Sequence, residues 1–93
     1  MTQPIIDVIQ HTRQLYEWRL TFAGQDIAGE LGNNSIDACL KEALRSLPET
    51  WLWVELRYNA VHMGTYFADE LQHTISEVAG RSAKLYRAVA ESQ

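Results

Sequence analysis

The chain is poor in the residues from which familiar catalytic or membrane-spanning devices are built. It has a single cysteine, Cys39, so no intrachain disulfide can form and nothing points to an oxidising compartment. No apolar run approaches the roughly 18 residues of a membrane helix. Residues Met1 to Asp7 lack a basic segment followed by an apolar one. The expectation is a cytoplasmic protein without a membrane partner. Basic residues are outnumbered, 8 against 12 acids for a net charge of −4. That balance argues against duplex DNA, whose phosphates need clustered Lys and Arg, and makes single-stranded nucleic acid an unfavoured partner. Glycine-rich phosphate loops, His pairs at i, i+4, Cys-x-x-Cys and Gly-x-Ser-x-Gly are all missing. The length of 93 residues suits a single domain, 1–93, with one core.

What the chain does have is pattern. In Trp51-Leu-Trp-Val-Glu-Leu-Arg-Tyr58, residues Leu52, Val54, Leu56 and Tyr58 alternate with Trp51, Trp53, Glu55 and Arg57, and the turn-prone Asn59-Ala60 leads into Val61-His-Met-Gly-Thr-Tyr-Phe67. This reads as a β-hairpin. Reversal at 59–60 pairs 58 with 61, 56 with 63, 54 with 65 and 52 with 67. One face is then apolar, and the other carries Trp53, Glu55, Arg57, His62, Gly64 and Tyr66, with Trp51 at its end. Glu17-Trp-Arg-Leu-Thr-Phe22 alternates in the same way. Ala23-Gly24-Gln25-Asp26 supplies a turn, and Ile27–Leu31 can return antiparallel with Ile27 and Leu31 inward.

Three helices complete the expectation. Pro4 with Ile5, Val8, Ile9, Thr12, Leu15 and Tyr16 predicts a helix over 4–16. Asn34 or Ser35 caps a second, carrying Ile36, Leu40, Ala43, Leu44 and Leu47 and ended by Pro48. A long third opens at an Asp69/Gln72 capping box and continues through Leu71, Ile75, Val78, Ser82, Leu85 and Val89, with Gly80 as the place for a kink. The predicted architecture is α+β, in the order α-ββ-α-ββ-α, with a four-stranded antiparallel sheet of two hairpins and helices on one face. The alternative is an all-α bundle with residues 50–79 as one helix, against which Gly64 and Asn59 speak.

Chemistry-bearing residues mostly have plain structural explanations. His11, His62 and His73 fall on separate segments and would have to converge with Asp69 or Cys39 to bind zinc, whereas solvated surface histidines account for the same facts. No metal or other cofactor is expected. Cys39 sits beside an apolar helical stripe, the usual place of a buried thiol. Asp69 and Glu70 suit the positive end of a helix, and Arg81, Lys84 and Arg87 suit the negative end, with Glu77 four residues before Arg81 as an ion-pair partner. No catalytic residue is assigned.

The outer hairpin face is harder to explain away. Trp51, Trp53 and Tyr66, flanked by Glu55, Arg57 and His62, form an aromatic patch of the composition found at binding hot spots. Three occupants compete for it: a second layer of the same chain, a symmetric copy, or a different partner. The function expected is a non-enzymatic protein–protein interaction module, a small regulator, inhibitor or accessory protein that is homodimeric or caps a partner protein through this face. The opposing class is a small enzyme or ligand-binding protein using Arg57, His62 and Glu55.

Overall fold

The computed structural model describes residues 2–92. Its elements are β1 (Ile5–Thr12), β2 (Leu15–Phe22), β3 (Gln25–Asn33), α1 (Ile36–Arg45), β4 (Trp53–Tyr58), β5 (Val61–Phe67), α2 (Ala68–His73) and α3 (Ile75–Glu91). The fold is α+β, but the sheet has five strands in the order β3-β2-β1-β4-β5 and is mixed. β1 runs parallel to β4, while the β1–β2, β2–β3 and β4–β5 pairs are antiparallel. This corrects the four-stranded antiparallel sheet and excludes the all-α alternative.

The fifth strand is the segment expected as a helix over 4–16. Its apolar residues sit at helical spacings, yet most are β-branched, which favours an extended backbone. Ile6 and Val8 are fully buried on one face, while Ile5, Asp7 and Ile9 lie half-buried on the other. A central strand with apolar residues on both faces does not show a clean period of two.

α1 packs on β1, β2 and β3, and α3 on α1, β4 and β5, so the helices cover one face. Between the layers lie Ile6, Val8, Trp18, Leu20, Cys39, Leu40, Val54, Leu56, Leu71 and Val78. Ser35 is the N-cap of α1, its Oγ accepting from Ala38 N at 3.1 Å. Glu42 ties that helix to the sheet: its Oε1 accepts from Trp18 Nε1 at 3.0 Å and from Asn33 Nδ2 at 3.2 Å.

Two register shifts move side chains away from their expected faces. Between β2 and β3 the pairing slips after Leu20, so Ala28 rather than Ile27 turns toward the core, and Ile27 and Leu31 are exposed. In the β4–β5 hairpin, Tyr58 pairs with Val61 and Arg57 with His62, but Leu56 pairs with Gly64, leaving Met63 as the extra residue of a bulge. Beyond it every side chain changes face. Glu55 pairs with Thr65, Val54 with Tyr66 and Trp53 with Phe67, so Gly64 and Tyr66 lie on the helix side. Leu52, expected inward, precedes β4 and is exposed.

The C-terminal helix is broken at Thr74 (φ −128°, ψ 25°), not at Gly80, and the expected capping box does not form: the N-cap of α2 is Phe67, with no side-chain hydrogen bond. Leu85, expected on the apolar stripe, is exposed.

Candidate docking surface

The sheet face opposite the helices carries side chains from all five strands. At the level of Asp7 on β1 stand Arg19 on β2 and Arg57 on β4, followed outward by Gly29 on β3 and His62 on β5. Ile5 lies level with Thr21 and Glu55, and Ile9 with Glu17. The sequence Glu-x-Arg occurs in both strands that flank β1, as Glu17-Trp-Arg19 and Glu55-Leu-Arg57. Because strand side chains alternate, each Glu and Arg of these pairs falls on this face.

The two pairs make matching clusters. Arg57 Nε donates to Glu55 Oε2 at 2.8 Å, and His62 Nδ1 lies 2.9 Å from the same oxygen. Arg19 Nε donates to Glu17 Oε2 at 2.8 Å, with His11 Nε2 2.8 Å from Glu17 Oε1. A carboxylate oxygen only accepts, so each imidazole presents an N–H to its Glu. The Arg57 hydrogen bond holds the Glu55 carboxyl below the ordinary carboxylate value, as Arg19 and then His11 do for Glu17. Asp7, between the clusters, is shifted the other way. Burial raises it above its ordinary value, and neighbouring Arg57 only partly opposes that.

Of the six residues singled out from the sequence, Trp53, Glu55, Arg57 and His62 share this face. Trp53 is 53% exposed and meets Phe67 edge-on at 5.4 Å between ring centroids. Trp51 instead stacks on Phe22 at the end of the sheet, 4.9 Å between centroids. Tyr66 is corrected to the opposite side, where its Oη donates to Met63 O at 3.0 Å and accepts from Arg81 Nη2 at 2.9 Å. The aromatic trio is therefore not one patch. The contributions of Asp7, Ile9 and the His11–Glu17–Arg19 cluster escaped sequence reasoning because β1 read as a helix. The repeated Glu-x-Arg was the signal that could have revealed them.

Chemically, the Glu55–His62 pair is an oriented imidazole, but it stands in water, the His62 side chain being 59% exposed. A cleft of about 260 Å³ on this face is lined by Glu17, Arg19, Asp26 and Ile27. A second, of about 330 Å³, is lined by Pro4, Phe22, Trp51 and Trp53, and a third of about 240 Å³ by Leu44, Leu47, Leu52 and Phe67. Cys39 is fully buried, which pushes its thiol up to about 11 and keeps it protonated at neutral pH. Among the described residues no cluster of His, Cys, Asp and Glu could hold a metal ion, and no helix is long and apolar enough to cross a membrane. Comparison with protein-family models, curated proteins and solved structures finds no match to this chain.

Proposed function

We propose that the chain is a non-enzymatic interaction module that assembles as a homodimer through the helix-free face of its sheet. The observation that carries this reading is the one-sided layering. All helices lie on one face, and the other presents exposed Trp53, Leu31 and Ile27 among Ile5, Ile9 and two Glu–Arg–His clusters. Apolar residues interspersed with paired charges are the make-up of a non-obligate interface.

Size and charge favour a second copy as the occupant. Five strands at ~4.8 Å spacing and about eight residues at ~3.3 Å give a face of roughly 600 Å² before side-chain relief, close to the ~800 Å² per partner of a standard interface. The accessible surface is 5979 Å², above the roughly 5,500 Å² expected for a free monomer of this mass. Two copies of a chain with net charge −4 repel each other. On this face, however, Asp7, Glu17 and Glu55 alternate with Arg19 and Arg57, so an identical copy can set Arg against Glu in both directions, as a two-fold interface requires.

The test is Trp53→Glu, examined by light scattering and circular dichroism. Trp53 is half exposed, so the expected result is an unchanged spectrum and loss of this contact; hot-spot aromatics typically contribute about 2 kcal/mol or more to association. The reversed charge Arg57→Glu should weaken the same contact, and the swap Glu55→Arg/Arg57→Glu should partly restore it. Self-association unchanged by Trp53→Glu, or a wild-type protein that stays monomeric at high concentration, overturns the proposal.

A further inference from the structure

The sheet has a second surface suited to self-recognition, the free edge of β3, which adjoins its open face. β3 is a terminal strand, nine residues long, with seven of them exposed. Its outer edge offers backbone N–H and C=O groups to a further strand. Native edges are commonly blunted by Lys or Pro, and β3 has neither. Helices touch both edges, α1 at β3 and α2 and α3 at β5, but β5 is the shorter strand and the bulge at Met63 falls within it. Ile27 (47% exposed) and Leu31 (56% exposed), two of the most exposed large apolar residues, both lie on β3.

We infer that β3 pairs antiparallel with β3 of a second copy about a two-fold axis at Gly29, making one continuous ten-stranded sheet. The register follows from side-chain direction and charge. An axis perpendicular to the sheet keeps the open faces of both copies on the same side, so outward residues must meet outward residues. Near the middle of the strand three centres satisfy this. An axis at Glu30 sets Glu30 opposite itself, and an axis at Ala28 sets Ile27 opposite Gly29 of the other copy and leaves Leu31 without an apolar partner. The first opposes acids, which is unfavourable across a strand pair, and the second brings no large apolar side chains together. An axis at Gly29 places Ile27 opposite Leu31 twice and Glu30 opposite Ala28 twice. It joins exposed apolar side chains and opposes no acids. The regular part of the β2–β3 ladder, Ala28 to Leu31, spans this centre, with the register shifts on either side of it.

The experiment is disulfide trapping in the full chain. Directly opposed residues have Cβ atoms ~4.5–5.5 Å apart in a strand pair, near the separation a disulfide spans. Under mild oxidation Ile27→Cys/Leu31→Cys should give a covalent dimer in several-fold higher yield than Glu30→Cys; the fully buried Cys39 stays out of the exchange. Ile27→Lys should halve the assembled mass with an unchanged circular dichroism spectrum, and because Ile27 also borders the open face it is the disulfide yield that assigns this loss to the edge. If Glu30→Cys cross-links as well as the double variant, or if neither does so, the inference is wrong. Trp53→Glu separates this interface from the face contact. Trapping that survives Trp53→Glu, together with a lower mass, supports both. Trapping with no effect of Trp53→Glu removes only the face reading, and a Trp53 effect without trapping removes only the edge. With both contacts made, the face-to-face homodimer is joined edge to edge into a larger assembly.

Discussion

A methyl group added at Gly64 should be costly, and the cost tests the bulge that fixes which face each β5 residue occupies. Gly64 has φ +133°, a region essentially closed to residues with a side chain. An added Cβ would lie 3.0 Å from Tyr66 Oη and 3.1 Å from two ring carbons. The ring is held in place by the Met63 carbonyl and by Arg81, whose guanidinium lies 5.8 Å from its centroid. Backbone strain of this kind costs about 1–3 kcal/mol, and a disturbed hydrogen bond adds on the order of 1 kcal/mol. Gly64→Ala should therefore destabilise by roughly 2–4 kcal/mol, a large part of the ~5–15 kcal/mol typical of a domain. Urea unfolding followed by circular dichroism should show a lower midpoint at unchanged slope. Tyr66→Phe removes the atom nearest the new methyl, so the double variant should cost less than the sum of the single ones. Gly80→Ala is the control: it is exposed within α3 with nothing within 4 Å of an added Cβ, and should gain ~0.5–1 kcal/mol from helix propensity. If Gly64→Ala falls within ~0.5 kcal/mol of the wild type, as ordinary surface changes do, the bulge is refuted. Residue 64 would then face water in the simple alternating register.

Leu56→Ala should destabilise by about 2–5 kcal/mol, because Leu56 is fully buried and its strand lies between β1 and β5; a midpoint unchanged in urea would contradict that placement. Glu17, Glu42 and Glu55 are held below their ordinary value of 4.5, chiefly by hydrogen bonds from Arg19, Trp18 and Arg57 respectively. Depressed folded-state values mean that the stabilisation is present above about pH 4.5 and is lost as pH falls through the folded values. Asp7 has the opposite sign, raised above 3.8 by burial. Its charge opposes folding at neutral pH, and this opposition disappears as pH falls through the raised folded value toward 3.8. Asp7→Asn should therefore stabilise at neutral pH, with the gain vanishing in acid, whereas Glu55→Gln should destabilise at neutral pH and flatten the acid limb. Urea midpoints across the pH range check both.

Local signals determined much of this protein. The strict alternation of Glu17–Phe22 and Trp53–Tyr58, the turns at Ala23-Gly24 and Asn59-Ala60, and the Ser35 cap before Ile36 each specify geometry within a few residues, and each is present in the structure. Those signals were enough for the α+β class and for placing Trp53, Glu55 and Arg57 on one side of a strand. Tertiary structure decided the rest. Ile5–Thr12 fits both a helical spacing and a β-branched strand, and it is extended because β2 and β4 supply hydrogen-bond partners on both its sides. Its parallel pairing with β4, about fifty residues away, has no local sequence signature. The bulge at Met63 brings Tyr66 within reach of Arg81 on α3, a contact between separate elements. It turned Tyr66 to the helix side and Phe67 toward Trp53. The breadth of the open face, with Asp7 between two matching Glu–Arg–His clusters, exists only once β1 is seated between β2 and β4, because strand order is fixed by burying Ile6, Val8, Leu20 and Leu56 together under α1 and α3.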